Sequence, residues 1–212
     1  LAAWLPARDV DFPRGIRYNQ GCMGTSLKQP SRRFFTSRID LACMLLVGVV
    51  TFIVSFVFAL RGIDPHHQGF LLKSAVDVSR GLALYKETFT QYGSLATYLL
   101  VPGIWLLGES VLAIQAATCF AYALCGMLLF GIVRRYAPLL VALACPLIAI
   151  GMGAFYFWNF HPWPSVFALL FSLFATATMI RFIDTKRTGW LVGCGAATAA
   201  MFWCRQPQGL TV

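Results

Sequence analysis

Apolar runs of about twenty residues recur along this chain, and nothing else in the sequence narrows its possible folds so far. They fall at residues 39–60, 111–133, 138–157, 164–183 and 190–204, with very few charges inside them. A helix of twenty residues rises about 30 Å, the thickness of a bilayer's hydrocarbon core. Charged residues make up only 12% of the 212, about half the share of a soluble domain. A large water-soluble core is therefore excluded. The expected fold is all-α: a polytopic helical membrane protein with about five transmembrane helices and further helices at its outer face.

The net charge of +9 invites a nucleic-acid reading, but its distribution opposes it. Seven basic residues precede Asp40, and most of the rest flank apolar runs, the pattern of topology signals. Residues 1–38 read as a basic, disordered cytoplasmic tail. The positive-inside rule then puts the start of the first span in the cytoplasm and the loop 61–110 outside. The first apolar run is too long for a signal-peptide core. Residues 39–212 are expected to be the N-terminal part of a larger transmembrane module. Seven cysteines with no CxxC pair sit mostly in apolar runs and act as small hydrophobes.

Residues 93–108 need a separate argument. The segment is apolar but short for a span, with Pro102-Gly103 at its middle. If it crossed, Arg134-Arg135 and Lys186-Arg187 would both lie outside. If both its ends stay outside, both pairs fall in the cytoplasm, as the rule requires. The segment is predicted to be interfacial or re-entrant.

Residues 61–92 hold three of the chain's eight acidic residues, four of its seventeen basic ones and two of its three histidines. Asp64-Pro65 is a good helix start, a capping carboxylate followed by proline at the first helical position. From Gln68 to Leu82 the pattern is amphipathic. Lys73, Asp77 and Arg80 share one face, Phe70, Leu71, Ala75, Val78 and Leu82 the other, and Gly81 is placed to end the helix. This predicts a helix lying in the interface.

Asp64 is open to two readings, a helix cap or a carboxylate that serves as general base or metal ligand. Helix spacing lets at most one of His66 and His67 share its site. His161, in the aromatic cluster WNFHPWPS, is either a belt residue or a third member of a His/Asp group for a divalent cation or a phosphate. Asp64, His67 and His161 are thus the candidate ligands of a possible divalent metal ion. Arg205 is either a snorkelling cation or the fork that holds a lipid-linked phosphate. Lys73 either steadies the interfacial helix on lipid or adds to phosphate binding, and Gln91 and Tyr92 are placed to line a pocket.

The order of these features resembles the GT-C superfamily of membrane glycosyltransferases, above all the branch of protein O-mannosyltransferases and the lipid A aminoarabinose transferase. The matching residues are Asp64 after the first span and the run LLKSAVDVSRGLALYKETFTQYGSLATYLLVPGIWLLGES. That run is similar to the family's interfacial helix, Gly-x-x-hydroxyaromatic step, Q-Y-G-P-L and L-F-G-E-S. The resemblance implies inverting transfer of a sugar from a polyprenyl-phosphate donor to an acceptor at the outer face. It casts Asp64 as the residue that activates the acceptor and Arg205 as a holder of the donor phosphate. There are two departures. His161-Pro162 stands where a second acidic residue is usual, and Ser94 where proline is common. A bacterial inner-membrane protein facing the periplasm is expected, in contact with membrane lipids and not nucleic acid. The alternatives are a piece of a multi-pass transporter, which would carry polar residues near the bilayer midplane, or a non-catalytic assembly subunit.

Overall fold

The computed structural model describes residues 37–62, 64–156 and 162–205, so the basic tail and His161 lie outside the described residues. All the named secondary structure is helical: α1 (Arg38–Ala59), α2 (Pro65–Ser79), α3 (Ser94–Leu107), α4 (Val111–Tyr136), α5 (Leu139–Tyr156), α6 (Pro164–Thr185) and α7 (Thr188–Cys204). By length and composition α1, α4 and α6 suffice to cross a bilayer, while α3, α5 and α7 are shorter apolar helices. The chain is an integral membrane protein. The outward face of α1 is what lipid requires: Leu45, Leu46, Val49, Ile53 and Val57 are all exposed.

The helices are tied at two levels. At one, Gln115 of α4, itself buried, donates from Nε2 to the Ala59 carbonyl at the end of α1, 2.9 Å away. Among the described residues that carbonyl has no intrahelical partner, and in an apolar medium an unsatisfied one is costly. At the other level Asp40 of α1 pairs with Arg134 of α4 at 2.8 Å, and Arg135 meets Asp184 of α6 through both carboxylate oxygens. Helices α1 and α4 are therefore antiparallel. Between the ties they approach closely over small residues: a Cβ on Gly126 would stand 2.8 Å from Thr51 Oγ1. Helix α6 ends at the Arg134 level, and α7 returns to the Asp64 level, where Arg205 donates to Ser165 in the first turn of α6.

Helix α3 does not run the length of the others. Its first residue follows Gly93, which lies against Trp203 and Cys204 at the end of α7. Its far end leads to Glu109, which accepts from Arg80 Nε (3.0 Å) and Nη2 (2.5 Å) just beyond α2. Ser110 then caps α4, one turn above Gln115. The start of α3 thus meets the end of α7, and its far end meets the close of α2 and the start of α4. The hairpin closes tightly because Gly103 stands where a Cβ would come within 2.5 Å of the Ala113 carbonyl oxygen.

Helix α2 starts as its sequence dictates. Asp64 caps it through the amides of His66 (3.0 Å) and His67 (3.2 Å), with Pro65 behind the cap. It stops earlier than the amphipathic pattern, at Ser79. Gly81 takes φ +91°, and the amides of Gly81 and Leu82 return to the carbonyls of Val78 and Asp77, a Schellman closure. Its buried stripe is Gln68, Leu71, Ser74 and Ala75, so two polar residues point inward where the pattern placed only apolar ones. Phe70 and Leu82 are exposed instead.

If α3 enters and leaves on one side, single cysteines from Gln91→Cys and Glu109→Cys, in a background without native cysteines, react with an impermeant thiol reagent from the same side of sealed vesicles. Opposite labelling of the two positions would make α3 a span.

Candidate active site

Between Arg80 and Gly93 the chain forms a strap with its own anchors. Lys73 Nζ meets Asp77 Oδ2 at 2.6 Å, and Thr88 Oγ1 donates to the same oxygen at 2.5 Å. These bonds, the one to Lys73 first, hold the Asp77 carboxyl below the ordinary aspartate range. Ser74 Oγ donates to the Phe89 carbonyl at 2.9 Å, which explains its inward place on α2. Tyr85, in the left-handed region at φ 65°, donates its hydroxyl to the Tyr92 carbonyl at 2.7 Å. A left-handed backbone at a bulky residue is strained, and here it brings the phenol back over the strap's last residue.

The strap delivers Tyr92 and Gly93 to the end of α7. A Cβ at Gly93 would overlap the Trp203 carbonyl oxygen and stand 2.7 Å from its carbon. Only glycine lets the two backbones meet. Tyr92 is half-buried in the corner this makes. Burial is the largest influence on its phenol and pushes its pKa up; Arg205 pulls it down and Asp64 pushes it up. One hydroxyl thus lies within the fields of both charged residues.

Trp163 forms the wall of that corner. Its ring centroid lies 5.0 Å from His67 and 6.4 Å from Tyr92. It sits at the N-cap of α6 between Pro162 and Pro164, both fully buried, which fix its backbone. Two residues on, Ser165 holds the Arg205 guanidinium.

The structure therefore gathers Asp64, His67, Tyr92 and Arg205. His66 is exposed and packs edge-on against Phe70 at 5.1 Å. Its ring also meets His67 edge-on at 5.2 Å, but only His67 turns toward Trp163, as helix spacing requires of neighbours. Gln91 is exposed. Lys73 is engaged with Asp77, its side chain 71% exposed. Of the metal-ligand candidates, Asp64 and His67 stand on one turn, while His161 is outside the described residues. Among the described residues no group of three or more His, Cys, Asp or Glu side chains comes together. Sequence reasoning took Trp163 only as part of an aromatic belt and passed over Ser165. The Pro-Trp-Pro-Ser string was the available signal, a ring held stiffly beside a hydroxyl.

The family described as dolichyl-phosphate-mannose-protein mannosyltransferase matches residues 92–212, more than half of the chain. The match opens at Tyr92 and includes Trp163, Ser165 and Arg205; Asp64 and α2 precede it. No curated protein and no solved structure matches the chain.

Two consequences can be measured. Asp77 is the depressed-carboxylate case: its bonds to Lys73 and Thr88 add stability above the unfolded pKa of about 4. That stability is lost as pH falls through the lower folded value. Amide exchange at Thr88 therefore accelerates relative to α4 on acidification below about pH 4, whereas Asp77→Asn exchanges fast already at neutral pH and shows no such step. Gly93→Ala, forced against backbone that has no flexible side chain to yield, costs about 2 kcal/mol or more, read as a lowered Tm. A Tm equal to that of the unaltered protein would remove the close approach.

Proposed function

The chain belongs to the dolichyl-phosphate-mannose-protein mannosyltransferase family, and from that membership we propose that its Asp64-level corner transfers a sugar from a polyprenyl-phosphate donor. The observation that carries this reading is the meeting of the Asp64 cap with Arg205 around Trp163. His67, on Asp64's turn, and Tyr92 both pack on that ring, which stands two residues before the Ser165 to which Arg205 donates. Transfer from a lipid phosphate needs a base for the acceptor hydroxyl and a cation for the departing phosphate.

In the proposed step the acceptor hydroxyl gives its proton to the Asp64 carboxylate as its oxygen attacks the sugar's C1. The C1–O bond to phosphate breaks, and its electron pair leaves with the lipid phosphate. The hydroxyl enters on the face of C1 opposite the departing phosphate, so the configuration inverts. Asp64 is suited to the first role because the amides of His66 and His67 fix the direction of its carboxylate. Arg205 suits the second because a guanidinium fork matches phosphate, and its partner, Ser165, is a neutral hydroxyl.

The reading sets the corner at the outer, periplasmic face of a bacterial inner membrane. It rests on Lys186 and Arg187 between α6 and α7, and on Arg134 and Arg135 at the same level. A transporter is disfavoured by where the charges lie. Within α1, α4 and α6 every Asp, Glu, Lys and Arg falls in the turns at the Arg134 end, and none near mid-span. His66, Lys73 and Gln91 flank the corner and are assigned to the approach of the donor and acceptor. Should a divalent cation assist, Asp64 and His67 are the residues placed to hold it.

Asp64→Asn still caps α2, so it isolates charge from structure. Turnover with a polyprenyl-phosphate mannose in liposomes, by the protein in its full length, falls about 10²-fold or more while donor binding persists. Arg205→Gln raises the donor KM first. Near-normal turnover by Asp64→Asn would reduce the carboxylate to a cap.

A further inference from the structure

Three features of the corner remain unused by that mechanism: the Trp163 ring, the His67 imidazole, and the rigid setting of both. His67 Nδ1 is buried and has no hydrogen-bond partner among the described residues. A buried polar atom in that state is uncommon and asks for an explanation, one being a ligand atom it is kept for. Its ring is held by the first turn of α2 and by the Trp163 indole 5.0 Å away. Trp163 is only partly buried, and its two prolines leave the backbone little freedom.

We infer that Trp163 and His67 form the subsite for the donor's hexose ring, Trp163 lying along the ring's apolar face and His67 Nδ1 meeting one of its hydroxyls. This rests on the reading of Arg205 as the phosphate holder. A hexose is amphipathic, with C–H bonds on its faces and hydroxyls at its edge, so it needs a flat aromatic surface beside a polar atom. The chain supplies the two side by side, ring centroids 5.0 Å apart. Arg205 is tied to Ser165, two residues from Trp163, and the sugar's C1 is one oxygen away from the phosphorus. A phosphate at Arg205 therefore lays the ring beside the indole. Asp64, three residues before His67 on the same turn, then stands across the corner for the incoming hydroxyl. Tyr92, T-shaped to the indole at 6.4 Å, closes the side that faces the strap. A corner built only to bind a lipid phosphate would need the cation but not the orphaned nitrogen or the open indole.

The test compares two ligands that differ only in the sugar, polyprenyl-phosphate mannose and polyprenyl phosphate, in equilibrium binding to the detergent-solubilised protein in its full length. Trp163→Leu and His67→Leu each weaken the sugar-bearing lipid about tenfold, the scale of one lost aromatic or hydrogen-bonded contact. They leave the sugar-free lipid within twofold. Trp163→Phe keeps a flat ring and recovers most of the affinity, which guards against a variant that simply fails to fold. Arg205→Gln weakens both lipids alike. Equal weakening of both lipids by Trp163→Leu, or no weakening of either, overturns the subsite. If the unaltered protein binds neither lipid, it is the glycosyltransferase reading of the corner that fails instead.

Discussion

The tie between α1 and α4 sets the frame on which the rest depends. Gln115 meets Ala59 at one end and Arg134 meets Asp40 at the other. Both ties are separated by nineteen residues on each helix, about 28 Å at 1.5 Å per residue. That is close to the thickness of the hydrocarbon core. In lipid there is little hydrophobic drive between helices, so close packing of small residues and satisfied polar groups must supply the association. The Gly126–Thr51 and Gly48–Met127 approaches do the first between the ties, and the ties do the second.

Once that pair fixes two levels, the other elements sort themselves by which level they can reach. Helices α6 and α7 are joined through Lys186 and Arg187 at the Arg134 level, so Trp163, Ser165 and Arg205 are delivered together at the opposite one. Helix α3 packs closely on the first turn of α4 through Gly103. The strap and α2 are fastened there by Arg80–Glu109 and by Asp77 with Lys73 and Thr88. Such exposed pairs each contribute little stability. Their effect is geometric: they bring Tyr92 and Gly93 against the end of α7.

Within the corner Asp64 receives the amides of His66 and His67, Arg205 donates to the Ser165 hydroxyl, and the rings of Tyr92, Trp163 and His67 stand among them. Tyr85 shows strain in the same arrangement, a bulky residue in the left-handed region held by its bond to Tyr92. Strain of that kind is stored where surrounding structure determines a position from several sides.

The long apolar helices, the cap at Asp64 and the stop at Gly81 were determined by the sequence alone. Each follows from local rules: apolar length against bilayer thickness, a carboxylate before proline, and a residue free to take positive φ. The different exposure of His66 and His67 was likewise legible, because adjacent helical residues point different ways even though their rings touch edge to face. The pairing of Lys73 with Asp77 follows from their i,i+4 spacing on one helix face. The tertiary structure alone decided that Ser74 turns inward to the strap and that Arg205 is carried by Ser165 beside Trp163. Those outcomes join residues 15 and 40 positions apart, and no local rule of period or spacing encodes which distant side chains meet. Gly93 shows the limit most plainly. In sequence it marks a turn after Gln-Tyr, and only the end of α7, 110 residues later, explains why nothing larger fits.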